Sequence, residues 1–208
     1  MKIGVLAVQG SFIEHIEILQ KLGVQALPVR MPSQLDGLDG LIIPGGESTT
    51  IVRLMTSYRL AQRIKEMAGL GLPIWGTCAG MVLLAKNIAN YQMETLGLMD
   101  INVRRNAFGS QVDSFEVDLH IPVLGKQPFR GVFIRAPIVV DVAPGVEILS
   151  RLADGRIVAV RQHRLLACSF HPEFTEDFRF HSYFLAIIDE QASRQHEGNI
   201  LRCSCPKS

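Results

Sequence analysis

The 208-residue sequence predicts an α/β fold: a mostly parallel central sheet flanked by helices, with an added antiparallel portion. Three observations carry that expectation. The first half alternates short apolar runs with longer amphipathic ones, as strand–helix–strand units do. The middle instead holds a series of short strand-like runs. Three glycine- or proline-marked motifs fall where apolar strands end, which is where ligands gather on an open parallel sheet.

Taken in order, residues 2–8 are the first strand. Ser11 and Glu14 then have capping-box spacing. Phe12, Ile13, Ile16, Leu19 and Leu22 approximate one helical face, and Gly23 ends that helix. Residues 26–30 and 40–43 are short strands. Residues 50–68 are helical, with a break near Ser57-Tyr58. A strand over 73–75 leads into a helix starting at Met81. Short strands follow at 101–103, 114–121, 131–135, 146–149 and 156–161, and Asp154-Gly155 marks a hairpin turn between the last two. Residues 165–170 return to the main sheet, and 178–190 form a last amphipathic helix. Residues 1–191 read as a single domain and 192–208 as a disordered tail.

Composition excludes several function classes. A net charge of +1 gives no electrostatic case for nucleic acid or an anionic membrane. No apolar run approaches a membrane span. The apolar stretch after Lys2 leads directly into a helix pattern, unlike a signal peptide. Four unevenly spread cysteines make no disulfide framework, so a reducing cytoplasmic location is expected. His196, Cys203 and Cys205 match no zinc spacing, and no metal is expected. Cys168, inside an apolar strand, reads as inert core.

The chemistry is concentrated in three stretches. Gly76-Thr77-Cys78-Ala79-Gly80 joins a strand to a helix, with a glycine two residues either side of the cysteine. That pattern is a nucleophile elbow with Cys in place of Ser, and it sets Cys78 at a helix N-terminus, where thiolate is favoured over thiol. By itself the motif is as readily a buried structural cysteine. His171-Pro172-Glu173 follows an apolar strand, and residues two apart in extended chain share a side. A histidine can move the thiol proton while a carboxylate orients and stabilises the imidazolium. By itself His-Pro-Glu is a surface turn; beside an elbow cysteine, a Cys-His-Glu triad is the better account. Pro44-Gly45-Gly46-Glu47-Ser48-Thr49-Thr50 ends another strand in a glycine loop. Its backbone and the Ala79 N–H are the natural oxyanion donors. It is no phosphate loop, since no Gly-Lys-Ser/Thr follows.

These stretches resemble the class I, triad-type glutamine amidotransferases in order and context. The resemblance is closer to the glutaminase subunit of the two-part pyridoxal 5′-phosphate synthases. It is carried by the segment from Gly4 to Gly10 with Glu14-His15, by the three stretches above, by Arg105-Asn106-Ala107-Phe108-Gly109 with Gln111-Val112-Asp113-Ser114-Phe115, and by Phe133-Ile134-Arg135-Ala136-Pro137. It spans the chain to about Glu190. The resemblance implies that Cys78, His171 and Glu173 hydrolyse L-glutamine to glutamate and ammonia. It implies that Gly46 and Ala79 form the oxyanion hole and that Gly46, Glu47, Ser48, Arg105, Ile134 and Arg135 contact glutamine. A guanidinium suits the substrate carboxylate and backbone carbonyls suit its ammonium, although either arginine could be a solvated surface charge. Glu47 and Ser48 could equally be a helix cap. A separate barrel-shaped synthase subunit would receive the ammonia and make pyridoxal 5′-phosphate, which is therefore no cofactor of this chain; no cofactor is expected. Two departures from the family pattern stand out. Ala107 replaces a usual hydroxyl residue, and Arg104 stands where an acidic residue is common.

Other readings keep the fold and change the role. A glutaminase serving another synthase would retain the triad, but the Arg-Asn-x-Phe-Gly and Phe-Ile-Arg-Ala-Pro segments count against it. A non-catalytic scaffold would have lost a triad member, whereas all three survive. A thiol peptidase suits His-Pro-Glu and Gly-Gly-Glu-Ser less well.

Overall fold

A computed structural model of the protein describes residues 1–108 and 114–190. Among these residues ten strands form one sheet, in the order β2-β1-β3-β4-β12-β11-β9-β6-β5, with β10 also paired to β11. The strands are β1 (Lys2–Leu6), β2 (Gln25–Val29), β3 (Gly40–Ile43), β4 (Ile74–Thr77), β5 (Ala85–Ile88), β6 (Met99–Arg104), β9 (Ile138–Val142), β10 (Glu147–Arg151), β11 (Ile157–Gln162) and β12 (Leu165–Cys168). The half from β2 to β12 is parallel throughout. Beyond β12 the pairing turns antiparallel, except that β5 and β6 run parallel. A separate antiparallel ribbon pairs β7 (Ser114–Leu119) with β8 (Phe129–Ile134). The expected class is therefore observed, with most of the antiparallel addition built into the main sheet.

Burial on both faces explains why the central strands are continuous apolar runs. In β3, Leu41 and Ile43 face one core while Ile42 faces the other. The first core is completed by α2 (Ser48–Ser57), α3 (Leu60–Gly69) and α4 (Ala79–Leu84). The second is covered by α1 (Phe12–Lys21), by helix α5 over residues 179–190, and by the ribbon. Trp75 sits in this second core with Phe180 and Phe184, their ring centroids 5.4 and 5.6 Å away.

Several local expectations need correction. β1 ends at Leu6, two residues before the predicted limit. The expected break in the second helix is real: Arg59, with φ 57°, separates α2 from α3. Ser11 does precede α1, but its side chain makes no capping bond. Its hydroxyl goes instead to the buried carboxylate of Glu173, where a charge-assisted bond is stronger than a cap. The buried face of α1 is His15, Ile18 and Leu19, while Ile13 is exposed. The helix after Cys78 lasts six residues and gives way to β5 at Ala85. β5 and β9 were not expected. The proposed tail, with His196, Cys203 and Cys205, and the Gly109 and Gln111–Asp113 part of the family motifs lie outside the described residues.

Candidate active site

Cys78 stands one residue past β4, with φ 47° and ψ −104°, a backbone an L-residue seldom adopts. Its N–H donates to the Cys168 carbonyl at 2.8 Å, tying the elbow to the end of β12. The flanking glycines permit the turn because the chain doubles back on itself. A Cβ at Gly80 would lie 2.0 Å from the Ile43 carbonyl oxygen, and one at Gly76 would lie 2.4 Å from Gly80. Small residues thus let α4 sit directly on β3 and β4, and the sulfur is carried into a pocket.

His171 follows β12, and its N–H donates to the Val132 carbonyl of β8 at 2.8 Å. Pro172 opens a single 3₁₀ turn over Pro172–Phe174. That turn, rather than strand alternation, folds Glu173 back onto its neighbour. His171 Nδ1 and Glu173 Oε1 are 2.7 Å apart. With Nδ1 engaged, Nε2 is the nitrogen left to serve the sulfur. Burial opposes charge on His171, but hydrogen bonds with Cys78 and Glu173 outweigh it and raise the imidazole pKa to about 10. Glu173 is only 5% exposed. Burial opposes its charge too, yet His15, His171 and the Ser11 hydroxyl hold its carboxyl pKa near 2. Cys168 lies in the core, as expected: it is fully buried, and burial pushes its pKa well up.

The glycine loop is held at close quarters. The Gly45 carbonyl accepts from the Ser11 N–H at 3.1 Å, and the Glu47 N–H donates to Gln9 Oε1 at 2.8 Å. A Cβ at Gly45 would come within 2.3 Å of His171 Cε1, and one at Gly46 within 2.4 Å of Gln9 Oε1. Neither glycine has a positive φ. Close approach is what requires them here.

The six residues assigned to glutamine line one cavity of about 470 Å³, together with Cys78, Ala79 and His171. Glu47 is also the N-cap of α2, so the alternative reading of that residue is realised. Its carboxylate accepts from Thr49 and Thr50, which holds its pKa near 2 despite the opposing cost of desolvation. Arg105 reaches Glu47 at 3.3 Å and lies over the Tyr91 ring, 4.5 Å from its centroid. Cys78 Sγ faces the Ile134 carbonyl at 3.8 Å. Arg135, with φ 44°, turns the chain at the pocket wall.

Sequence reasoning missed several neighbours. Asn106, Ser114 and Pro137 also line the cavity. Gln9, Ser11, His15 and His181 stand behind it. The signal for Gln9 was its place at the end of a parallel strand. His15 was marked by its position on the apolar face of α1. Among the described residues, no group of three or more His, Cys, Asp or Glu side chains could hold a metal ion. No helix among them is long and apolar enough to cross a membrane.

The chain is 57% identical over 188 residues to the pyridoxal 5′-phosphate synthase subunit PdxT of Moorella thermoacetica, covering 90% of this chain and 100% of that one. It is 59% identical over 190 residues to the subunit of the same name from Herpetosiphon aurantiacus, with the same coverage. A crystal structure of a glutamine amidotransferase superposes with a TM-score of 0.86 at 49% identity, covering 91% of this chain and 100% of that one. The resemblance drawn from the sequence motifs holds. The SNO glutamine amidotransferase family model matches residues 5–190, and the chain belongs to that family.

Proposed function

We propose that the chain is the glutaminase subunit of a pyridoxal 5′-phosphate synthase. It would hydrolyse L-glutamine through Cys78, His171 and Glu173 and pass the ammonia to a separate, barrel-shaped synthase subunit. The observation that carries this reading is the shared cavity. An elbow cysteine, a histidine already bound to a carboxylate, and an arginine-rimmed wall meet in a space suited to one small amino acid.

The chemistry follows from these positions. The Cys78 sulfur attacks the side-chain amide carbon, and the carbonyl oxygen takes up negative charge toward the Ala79 and Gly46 N–H groups. His171, protonated at neutral pH, gives its proton to the departing nitrogen. The C–N bond breaks, ammonia leaves and a γ-glutamyl thioester remains. The now neutral imidazole takes a proton from water, the hydroxide attacks the thioester carbon, and the C–S bond breaks to release glutamate and restore the Cys78 thiolate beside a protonated His171. Arg105 and Arg135 supply positive charge for the substrate carboxylate. The Ile134 carbonyl can accept from its ammonium.

The test is a glutaminase assay with and without a co-expressed synthase subunit. Turnover should rise on adding the partner, more than glutamine affinity changes. Cys78→Ala should abolish ammonia release without unfolding the chain. A glutamine-mimicking electrophile should label Cys78 and spare Cys168. Ammonia release by Cys78→Ala would falsify the triad.

A further inference from the structure

Behind the triad lies a fully buried pair of histidines that the reaction above does not use. His15, on α1, and His181, on α5, are each 0% exposed. His15 Nδ1 and His181 Nε2 are 2.9 Å apart. On the other side of its ring, His15 Nε2 faces Glu173 Oε2 at 3.4 Å and the Thr77 hydroxyl of β4 at 3.4 Å. Glu173 Oε1 is occupied by His171 and Ser11, whereas Oε2 is buried with no hydrogen-bond partner among the described residues. The Trp75 ring packs edge-on against both histidines, with centroids 5.5 and 4.9 Å away, and fixes their planes.

The bond between two neutral imidazoles carries a single proton, so two arrangements compete. If His15 Nδ1 holds the proton, its Nε2 lone pair can accept from the Thr77 hydroxyl but lies 3.4 Å from the Glu173 carboxylate, lone pair against charge. His181 must then bury an N–H at Nδ1, for which the described residues offer no partner. If His181 Nε2 holds the proton, His15 presents Nε2–H to Glu173. Only a lone pair is then left unmatched at His181 Nδ1. The second arrangement replaces a repulsion with an attraction to a buried charge, so it is favoured.

We infer that His15 is a positioning residue, whose Nε2–H holds the outer oxygen of Glu173, and that His181 sets the tautomer that makes this possible. The inference deepens the glutaminase reading and rests on it. The chain of contacts runs from Cys78 through His171 and Glu173 to His15 and His181, joining the elbow and the end of β12 to α1 and α5. With one carboxylate oxygen facing His171 and the other facing His15, rotation of Glu173 away from the imidazole it orients is opposed from both sides. The charged or titratable groups around this point are Glu173 and His171 from the loop after β12, Cys168 from β12, His181 from α5 and Glu14 from α1.

The test uses the full chain with its synthase partner. His15→Leu should lower kcat on the order of tenfold to a hundredfold, with KM for glutamine changed less than about twofold. Loss of the donor raises the Glu173 pKa, so the acid limb of the pH–rate profile should move to higher pH. His15→Gln, whose amide N–H can reach the same oxygen, should recover most of the rate and restore the limb. Independently of turnover, imidazole ¹⁵N spectra of the wild-type chain should show His15 protonated at Nε2 and bare at Nδ1. The spectra decide the matter if His15→Leu does not fold. A proton on His15 Nδ1, or an active wild type with unchanged His15→Leu kinetics, would overturn the inference alone. A wild-type chain that never hydrolyses glutamine would sink the triad reading instead.

Discussion

At the residue scale, His171 and Glu173 are separable in role although 2.7 Å apart. In the proposed mechanism His171 moves protons in both halves of the reaction, whereas Glu173 orients and stabilises. His171→Asn should therefore be nearly inactive, while Glu173→Gln keeps a measurable though much reduced kcat. Steady-state kinetics on the two variants check this, and the reverse order of activity would show the roles misassigned. The types and order of these residues were legible from the sequence because elbow and His-Pro-Glu patterns are local. The groups behind them were not. Ser11 read as a helix cap, and only the folded chain reveals a carboxylate close enough to compete for its hydroxyl. His181 lies on a separate helix from His15, and no local pattern announces that they meet.

At the scale of elements, the turn at Cys78 is possible because Gly76 and Gly80 bring α4 to backbone contact with β3 and β4. Gly80→Ala would push a methyl group into the Ile43 carbonyl, a backbone atom that cannot swing aside. The expected cost is about 1–3 kcal/mol or more, the scale of overpacking a tight core. It should come with reduced kcat, because Ala79 shifts with α4. Urea unfolding measures the first and glutamine turnover the second. Stability within about 0.5 kcal/mol of wild type, the range of ordinary surface substitutions, would refute the packing account. The centre of the parallel half was readable because β3 and β4 are buried along their whole length and almost wholly apolar. β5 escaped notice because Lys86 and Asn87 are exposed on an edge strand, where pairing with β6 decides the conformation rather than side-chain type.

For the molecule as a whole, the buried polar groups set the response to acid. Burial lowers the pKa of His15 and, more strongly, of His181 below the ordinary histidine value of 6.5. Below pH 6.5 the unfolded chain binds protons at these sites that the folded chain refuses, so stability falls as pH falls. Glu173 acts in the same direction at lower pH: its contribution is present above about 4.5 and is lost toward pH 2. His171, raised to about 10, acts the other way, but its contribution is complete once the pH has fallen to about 6.5. Unfolding free energy should thus decline from about pH 6.5 to pH 5, before most carboxylates titrate. His181→Asn should flatten that slope. Urea titrations at the two pH values decide it, and a wild-type slope unchanged by the substitution would count against a neutral buried pair. Net charge and composition placed the chain among ordinary globular proteins without hinting at this sensitivity, which belongs to burial rather than to content.

The backbone angles of Cys78 also bear on how such a chain can change over generations. A φ of 47° with ψ −104° suits glycine better than any residue with a side chain. The conformational strain, of order 1–3 kcal/mol, generally exceeds the roughly 0.4–1 kcal/mol that glycine forfeits through a looser unfolded state. Cys78→Gly should accordingly unfold at a higher temperature than Cys78→Ala, although both lack the sulfur. Calorimetry on the pair would show it, and a lower melting temperature for the glycine variant would refute it. Selection for stability alone would then drift toward glycine at this position. Cysteine persists there only while its chemistry is in demand, so a lineage released from that demand should lose its nucleophile early and keep its fold.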